Sequence, residues 1–336
     1  MTTRRRRWAR WGALALAAVL TLAVPAAAAE PSRTAADIQD HWAQIPMEWA
    51  RDKGILIGVS ETTLSPDQTT SRAMAVTALY RYQGSPVVEG ESAFVDVSQD
   101  DDYADAVAWA VQGGIVTGKT ETAFAPDDPV TRQEFFTMLY RWHVSQRGTP
   151  ETIGENTVLT LDSFADGDSL SPYAEDAAAW AVGDLLLTGS GENNSRVLRP
   201  KAPITWGELT KILYQYDCAV LGSPGKLFAY ETQGVEKIMV QSGNTGQRFY
   251  ITDPAEIARF LEKVNAFTYT EQRIHLAGGG WYYRFEVFTE DGGEAQYGRT
   301  LSRSGVRISN GEVQIYYTGQ DGYFAEDWLL SFRPAE

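Results

Sequence analysis

Apolar positions recur at intervals of three and four residues through the middle of the chain and at alternate positions towards its end. The sequence therefore predicts helices first and a sheet afterwards. Within the helical region a single pattern is written three times. The first copy runs from Ile38-Gln39-Asp40 through Trp49, Gly54-Ile55-Leu56-Ile57-Gly58 and Leu64-Ser65-Pro66 to Ser71-Arg72-Ala73-Met74. The second runs from Phe94-Val95-Asp96 through Trp109, Gly114-Ile115-Val116-Thr117-Gly118 and Phe124-Ala125-Pro126 to Thr131-Arg132-Gln133-Glu134. The third runs from Phe164-Ala165-Asp166 through Trp180, Leu185-Leu186-Leu187-Thr188-Gly189 and Leu198-Arg199-Pro200 to Thr205-Trp206-Gly207-Glu208. In every copy the Trp lies nine residues before the second turn position, and the Pro six before the Arg or Trp of the last segment.

Each copy reads as two helices. The first stops at Gly54 or Gly114, residues suited to the left-handed position that ends a helix; the third copy has Leu185 there and must end differently. The second helix carries an apolar stripe, formed by Phe135, Met138, Leu139 and Trp142 in copy two and by Leu209, Ile212, Leu213 and Tyr216 in copy three. Copy one matches more weakly, with Ala75, Ala78, Leu79 and Tyr82. A helical pair of this size cannot enclose a core, so the three copies are expected to pack on one another.

The start of the second helix holds the candidate chemistry. Thr131 with Glu134, and Thr205 with Glu208, have the spacing of the reciprocal capping box. Free N–H groups and the positive end of the helix dipole favour an anion at such a point. Arg72 and Arg132 follow the cap by one residue, where a guanidinium can grip a carboxylate with two hydrogen bonds. Spacing alone is equally compatible with two solvated surface arginines. The glutamates are read as caps rather than catalysts.

After Gly222-Ser223-Pro224-Gly225 the pattern changes. Strands are predicted over 235–240, 247–252, 273–276, 281–289, 294–301, 306–309 and 313–318. Asp253-Pro254 opens a helix with the stripe Ile257, Phe260, Leu261 and Val264, and a short helix closes the chain over 323–332. Asp291-Gly292 and Asn310-Gly311 read as hairpin turns. This makes a small α+β domain with an antiparallel sheet.

Charge and cysteine content narrow the possible partners. Lys and Arg number 29 against 44 Asp and Glu, and five of the arginines stand in the first ten residues. Without those five the formal charge is −20, a surface that repels nucleic acid and anionic lipid. Residues 1–29 read as an export signal, an arginine cluster followed by an apolar stretch over 12–24 and small residues ending at Ala27-Ala28-Ala29. After cleavage no membrane association is expected. One cysteine, Cys218, and three histidines leave no disulfide and no four-ligand zinc cluster, so no cofactor is expected. Cys218 reads as a small buried apolar residue.

The opening Phe-x-Asp, the Gly-Ile-Val-x-Gly turn, the Phe-x-Pro segment and the Thr-Arg-x-Glu helix start together resemble the S-layer homology (SLH) domain family over roughly 37–217. The resemblance implies a mostly α N-terminal region of three repeats in a pseudo-threefold helical assembly. Its grooves between repeats would bind secondary cell-wall polysaccharide, often pyruvylated, whose ketal carboxylate would be the anion. By resemblance the groove residues are Arg72 and Arg132 with Asp40, Asp96 and Asp166, while Gly58, Gly118 and Gly189 let sugar approach the backbone. Copy one has Met74 where the family has Glu, and copy three has Trp206 where it has Arg. Two competent grooves are therefore expected, with the third degraded or stacking a sugar on Trp206.

The expected organisation is a signal over 1–29, repeats over 30–84, 91–145 and 161–220, a linker over 221–226, and an α+β domain of unknown function over 227–336. The expected role is noncovalent anchoring of a non-enzymatic exported protein to a Gram-positive-type wall. The alternative is an exported wall-modifying enzyme whose activity lies in the C-terminal domain. Gly167-Asp168-Ser169-Leu170 matches a short esterase signature, but no Asp-x-x-His supplies a base. Asp100-Asp101-Asp102 lacks EF-hand spacing and reads as a solvated loop. Trp281, Tyr282 and Tyr283 read as core, and Arg299, Arg303 and Arg307 as a solvated sheet face. Glu286 and Glu294 stand where a hairpin can bring two carboxylates together, which spacing alone does not establish.

Overall fold

The structure, a computed structural model, describes residues 35–333 apart from 40, 57–59, 61, 151–158, 185, 188, 193–194, 231–233, 277–282, 290–297, 303–304, 311–312, 319–323 and 325. The export signal expected over 1–29 lies outside the described residues. Helices α1 (Gln44–Asp52) and α2 (Arg72–Tyr82) come from the first copy, and α3 (Ala104–Gln112) and α4 (Arg132–Arg147) from the second. The third supplies α5 (Glu175–Gly183), an antiparallel hairpin of β1 (Ser190–Glu192) and β2 (Ser195–Val197), and α6 (Trp206–Ala219). Gly54 and Gly114 follow the first helices at φ 70° and 65°, the left-handed conformation that a Cβ resists. The stripes of α4 and α6 are buried throughout, and in α2 Tyr82 is only partly buried.

A cyclic exchange of backbone bonds joins the copies. Thr70 N–H donates to the Ile204 carbonyl, Ile204 N–H to Val130, and Val130 N–H to Thr70, each at 3.0 Å. These residues stand two positions before Arg72, Trp206 and Arg132, so the second helices all begin on one closed ring. Side chains repeat the cycle. Tyr80 packs on Trp109 at 5.6 Å between ring centroids, Tyr140 on Trp180 at 5.5 Å, and Tyr214 on Trp49 at 5.6 Å. Each aromatic pair ties the second helix of one copy to the first helix of the next. Tyr82, Trp142 and Tyr216 meet one another with centroids 5.3 to 6.3 Å apart. The N-terminal region is thus the expected pseudo-threefold helical assembly.

The C-terminal region begins with β3 (Gly225–Lys226), β4 (Val235–Ser242), β5 (Arg248–Ile251), α7 (Pro254–Ala266) and β6 (Thr268–Tyr269). It continues with β7 (Glu271–Leu276), β8 (Tyr283–Thr289), β9 (Gly298–Ser302), β10 (Gly305–Asn310), β11 (Val313–Thr318) and α8 (Glu326–Leu330). Seven strands form one antiparallel sheet in the order β5-β4-β8-β9-β10-β11-β7. Asp253 caps α7 by accepting from Ala255 and Glu256 N–H, both at 3.0 Å. The α7 stripe packs in a core with Ile238, Val240, Phe285 and Val287, alternate residues of β4 and β8. The β10–β11 hairpin pairs Asn310 with Val313, as the Asn310-Gly311 reading expects. The turn expected at Asp291-Gly292 lies outside the described residues.

The stretch 221–226, expected as a linker, is only partly a connection. Gly225–Lys226 pairs with Thr268–Tyr269. The Tyr214 hydroxyl donates to the Lys226 carbonyl at 3.0 Å and accepts from the Lys226 N–H. The linker reading does not show this pairing because a two-residue strand leaves no alternation to detect. Helix α6 consequently serves two cores, with Leu209, Leu213 and Tyr216 in the repeat core and Tyr214 and Cys218 in the C-terminal one.

Candidate functional site

The second-helix caps form as their spacing dictates. Glu134 accepts from the Thr131 N–H at 2.7 Å while Thr131 Oγ1 accepts from Glu134 N–H at 3.4 Å. In copy three the corresponding distances are 3.1 and 3.3 Å. Ser71 accepts from Met74 N–H at 3.2 Å, so copy one keeps half of the box. The expectation that free N–H groups here hold an anion is corrected. Arg72 and Ala73 N–H donate at 2.9 Å to the Asp128 and Pro126 carbonyls, and Arg132 and Gln133 N–H donate at 2.9 Å to Ala202 and Pro200. Trp206 and Gly207 N–H donate at 2.8 Å to Gln68 and Pro66. Threefold closure consumes the donors that an isolated helix start leaves open.

The two motif arginines reach into the next copy but have different partners. Arg72 is 4% exposed; Nε donates to the Phe124 carbonyl at 3.0 Å and Nη2 to the Thr117 carbonyl at 2.9 Å. Its guanidinium carbon sits 4.7 Å from the centre of the Phe124 ring. Burial lowers its pKa, opposed by the more distant charges of Glu134, Asp128 and Asp96. Among the described residues no carboxylate forms an ion pair with it. Arg132 is 9% exposed and donates from Nε to the Leu198 carbonyl at 2.8 Å, but its Nη1 lies 2.7 Å from Glu208 Oε1. The expected equivalence of the two grooves is corrected: Arg132 is neutralised inside the fold, and Arg72 is not.

Glu134 and Glu208 occupy the same position in their copies, and their neighbours explain the difference. Lys119 Nζ lies 2.7 Å from Glu134 Oε1. Burial alone would raise the Glu134 pKa, but the bonds from Lys119 and Thr131 leave it below the ordinary carboxylate value. The residue of copy three in register with Lys119 is Ser190, which has no charge to offer Glu208.

Trp206 fills the third position and is 0% exposed, with its indole N–H buried and unpaired. The suggestion that it stacks a sugar ring is corrected: the indole belongs to the repeat core. The opening aspartates also have an internal role. Asp96 accepts from Phe124 and Ala125 N–H, both at 2.8 Å, and Asp166 accepts from Leu198 and Arg199 N–H, both at 2.7 Å. Burial pushes the Asp96 pKa up, but these backbone bonds outweigh it and hold the carboxyl low. In copy one Asp37 does this work, accepting from Leu64 N–H at 3.0 Å and Ser65 N–H at 2.7 Å. The position that Asp96 and Asp166 hold is thus taken in copy one by Asp37; Asp40, which the sequence reading put there, lies outside the described residues, as does Gly58. Ser65, Ala125 and Arg199 all adopt positive φ, of 55°, 58° and 51°, so each aspartate staples a strained turn.

The turn glycines answer to packing within the chain. A Cβ on Gly118 would lie 2.3 Å from the Thr120 carbonyl oxygen and 2.5 Å from the Phe94 ring. One on Gly189 would lie 2.6 Å from the Phe164 ring. The opening phenylalanines occupy part of the space that these glycines leave.

Ser169 Oγ of the esterase-like signature donates to the Asp166 carbonyl at 2.7 Å. Glu286 is buried against Arg284, while Glu294, Trp281, Tyr282 and Arg303 lie outside the described residues. Tyr283 is buried, as expected. Among the described residues no three His, Cys, Asp or Glu side chains are grouped to hold a metal ion. No helix among them is long and apolar enough to cross a membrane.

The sequence model of the S-layer homology domain matches residues 36–75 and 93–136. The surface-layer 125 kDa protein of Lysinibacillus sphaericus is 32% identical over 194 residues, covering 56% of this chain and 16% of that protein. An amylopullulanase of Thermoanaerobacterium thermosulfurigenes is 30% identical over 189 residues, covering 56% of this chain and 10% of the enzyme. The S-layer protein EA1 of Bacillus anthracis is 25% identical over 195 residues, covering 57% of this chain and 21% of that protein. The chain thus spans 10 to 21% of the length of these relatives, and the match to the enzyme falls in the repeat region alone.

Proposed function

From the S-layer homology domains that this chain carries, we propose that it is an exported protein held noncovalently on a Gram-positive-type cell wall by secondary cell-wall polysaccharide, with residues 227–336 as the cargo. The family and its surface-layer relatives support cell-surface anchoring. The observation that carries the finer reading is the Arg72 guanidinium, withdrawn from water, bonded to two carbonyls, lying over an aromatic ring and without an ion-pair partner among the described residues. A buried cation without a counter-ion is costly, and an incoming carboxylate removes that cost with charge-assisted bonds. An acidic ketal on the polysaccharide supplies such a group. The principal groove is therefore the one between copies one and two. The groove at Arg132 is self-neutralised, and Trp206 closes the third.

The test is the affinity of residues 30–336 for purified secondary polysaccharide before and after removal of its acidic ketals. Arg72→Gln should weaken binding by about tenfold or more, while Arg132→Gln leaves it within about threefold. Equal affinity for the ketal-free polymer refutes the reading.

A further inference from the structure

We infer that Lys119 is a positioning residue that keeps the Arg72 groove open by holding the Glu134 carboxylate away from the Arg72 guanidinium. The inference rests on the groove reading above. It arises from two interfaces with the same components and different pairings. In both, an arginine of one copy donates through Nε to a carbonyl of the next, Phe124 for Arg72 and Leu198 for Arg132. In both, the next copy supplies the glutamate of a capping box, Glu134 or Glu208. Glu208 closes on Arg132 at 2.7 Å, whereas Glu134 lies 2.7 Å from Lys119 and forms no ion pair with Arg72. Glu134 holds in copy two the capping-box place that Glu208 holds in copy three, so it is the carboxylate placed to capture the guanidinium.

The cation decides which pairing forms. Lys119 directly follows the turn glycine Gly118, and Ser190 follows Gly189. A carboxylate with an ammonium at hand is satisfied by it, and the guanidinium is left for an external anion. Where no lysine follows the turn glycine, as in copy three, the carboxylate closes on the motif guanidinium at 2.7 Å, with Arg199 beside it at 4.0 Å. Lys119 itself is half exposed and Glu134 is partly covered, so the pair sits at the rim of the interface, where a substitution is tolerated. Lys119 need not touch the ligand; it acts through Glu134.

A double-mutant cycle separates this inference from the reading beneath it. Binding of residues 30–336 to ketal-bearing polysaccharide is measured for Lys119→Ser, Lys119→Arg, Glu134→Gln and the Lys119→Ser/Glu134→Gln pair. Gln at 134 keeps the oxygen that accepts from Thr131 N–H, so the cap survives. Lys119→Ser should weaken binding by about tenfold, and Lys119→Arg should preserve it. The double variant should recover to within about threefold of the parent, because no carboxylate remains to occupy Arg72. Glu208→Gln should raise affinity or stoichiometry by unlocking Arg132. Undiminished binding by Lys119→Ser, or a double variant as weak as the single, overturns the role of Lys119 while leaving the groove reading intact. Undiminished binding by Arg72→Gln overturns both.

Discussion

At the scale of single residues, one motif letter serves three purposes in three copies. Among the described residues Arg72 is a buried cation without an ion-pair partner, Arg132 is an internal ion pair, and Trp206 is core. Sequence spacing located all three but did not reveal the side-chain partners of the two arginines, which lie in the next copy, 45 to 76 residues away. The opening aspartate shows a different limit. Ile38 resembles the opening apolar residue and draws the register to Asp40, yet Ala35 occupies that place and Asp37 grips the turn. The signal was present in the separation from aspartate to turn, 27 residues for Asp37 and 28 for Asp96. Asp37→Asn should therefore cost about 1–2 kcal/mol, as should Asp96→Asn, because each loses a charged acceptor shared by two N–H groups. Urea denaturation of the two variants measures this, and a neutral Asp37→Asn would contradict the structural role given to Asp37.

At the scale of elements, the helices, their caps and most strands were legible because apolar periodicity and Ser, Thr, Asp, Pro and Gly positions encode them locally. The cyclic closure was not, since three similar segments reveal a repeat without saying which donor meets which carbonyl. Closure also changes what a helix start can do, because its N–H groups become structural. The caps make acid stability predictable. Glu134 and Asp96 both have folded-state pKa values below the ordinary carboxylate value. The unfolded chain then binds more protons in the acid range, so the contribution of these groups is complete above the ordinary value and lost as pH falls through the lowered one. Melting temperature should decline below about pH 5, and Asp96→Asn should flatten that decline. An unchanged slope in the variant would assign the acid sensitivity to other groups.

At the scale of the whole molecule, the repeats and the C-terminal sheet share α6, and the intervening stretch is pinned to Tyr214. Composition showed where one pattern ends and another begins, but not that a single helix would face both. Cys218 reports on this arrangement. It is buried in the C-terminal core, and burial raises its thiol pKa. The intact chain should resist thiol reagents for hours, whereas a fragment ending at residue 225 should react within minutes, as follows from exposure of the thiol. Equal protection in both would mean that α6 does not depend on the domain behind it. The proposed role holds this protein on a wall polymer through one arginine-lined groove. Its most direct test is co-sedimentation of residues 30–336 with purified walls, intact and stripped of secondary polysaccharide. Retention on intact walls, and its loss on stripped ones, is the predicted result; equal pelleting with both would contradict the account.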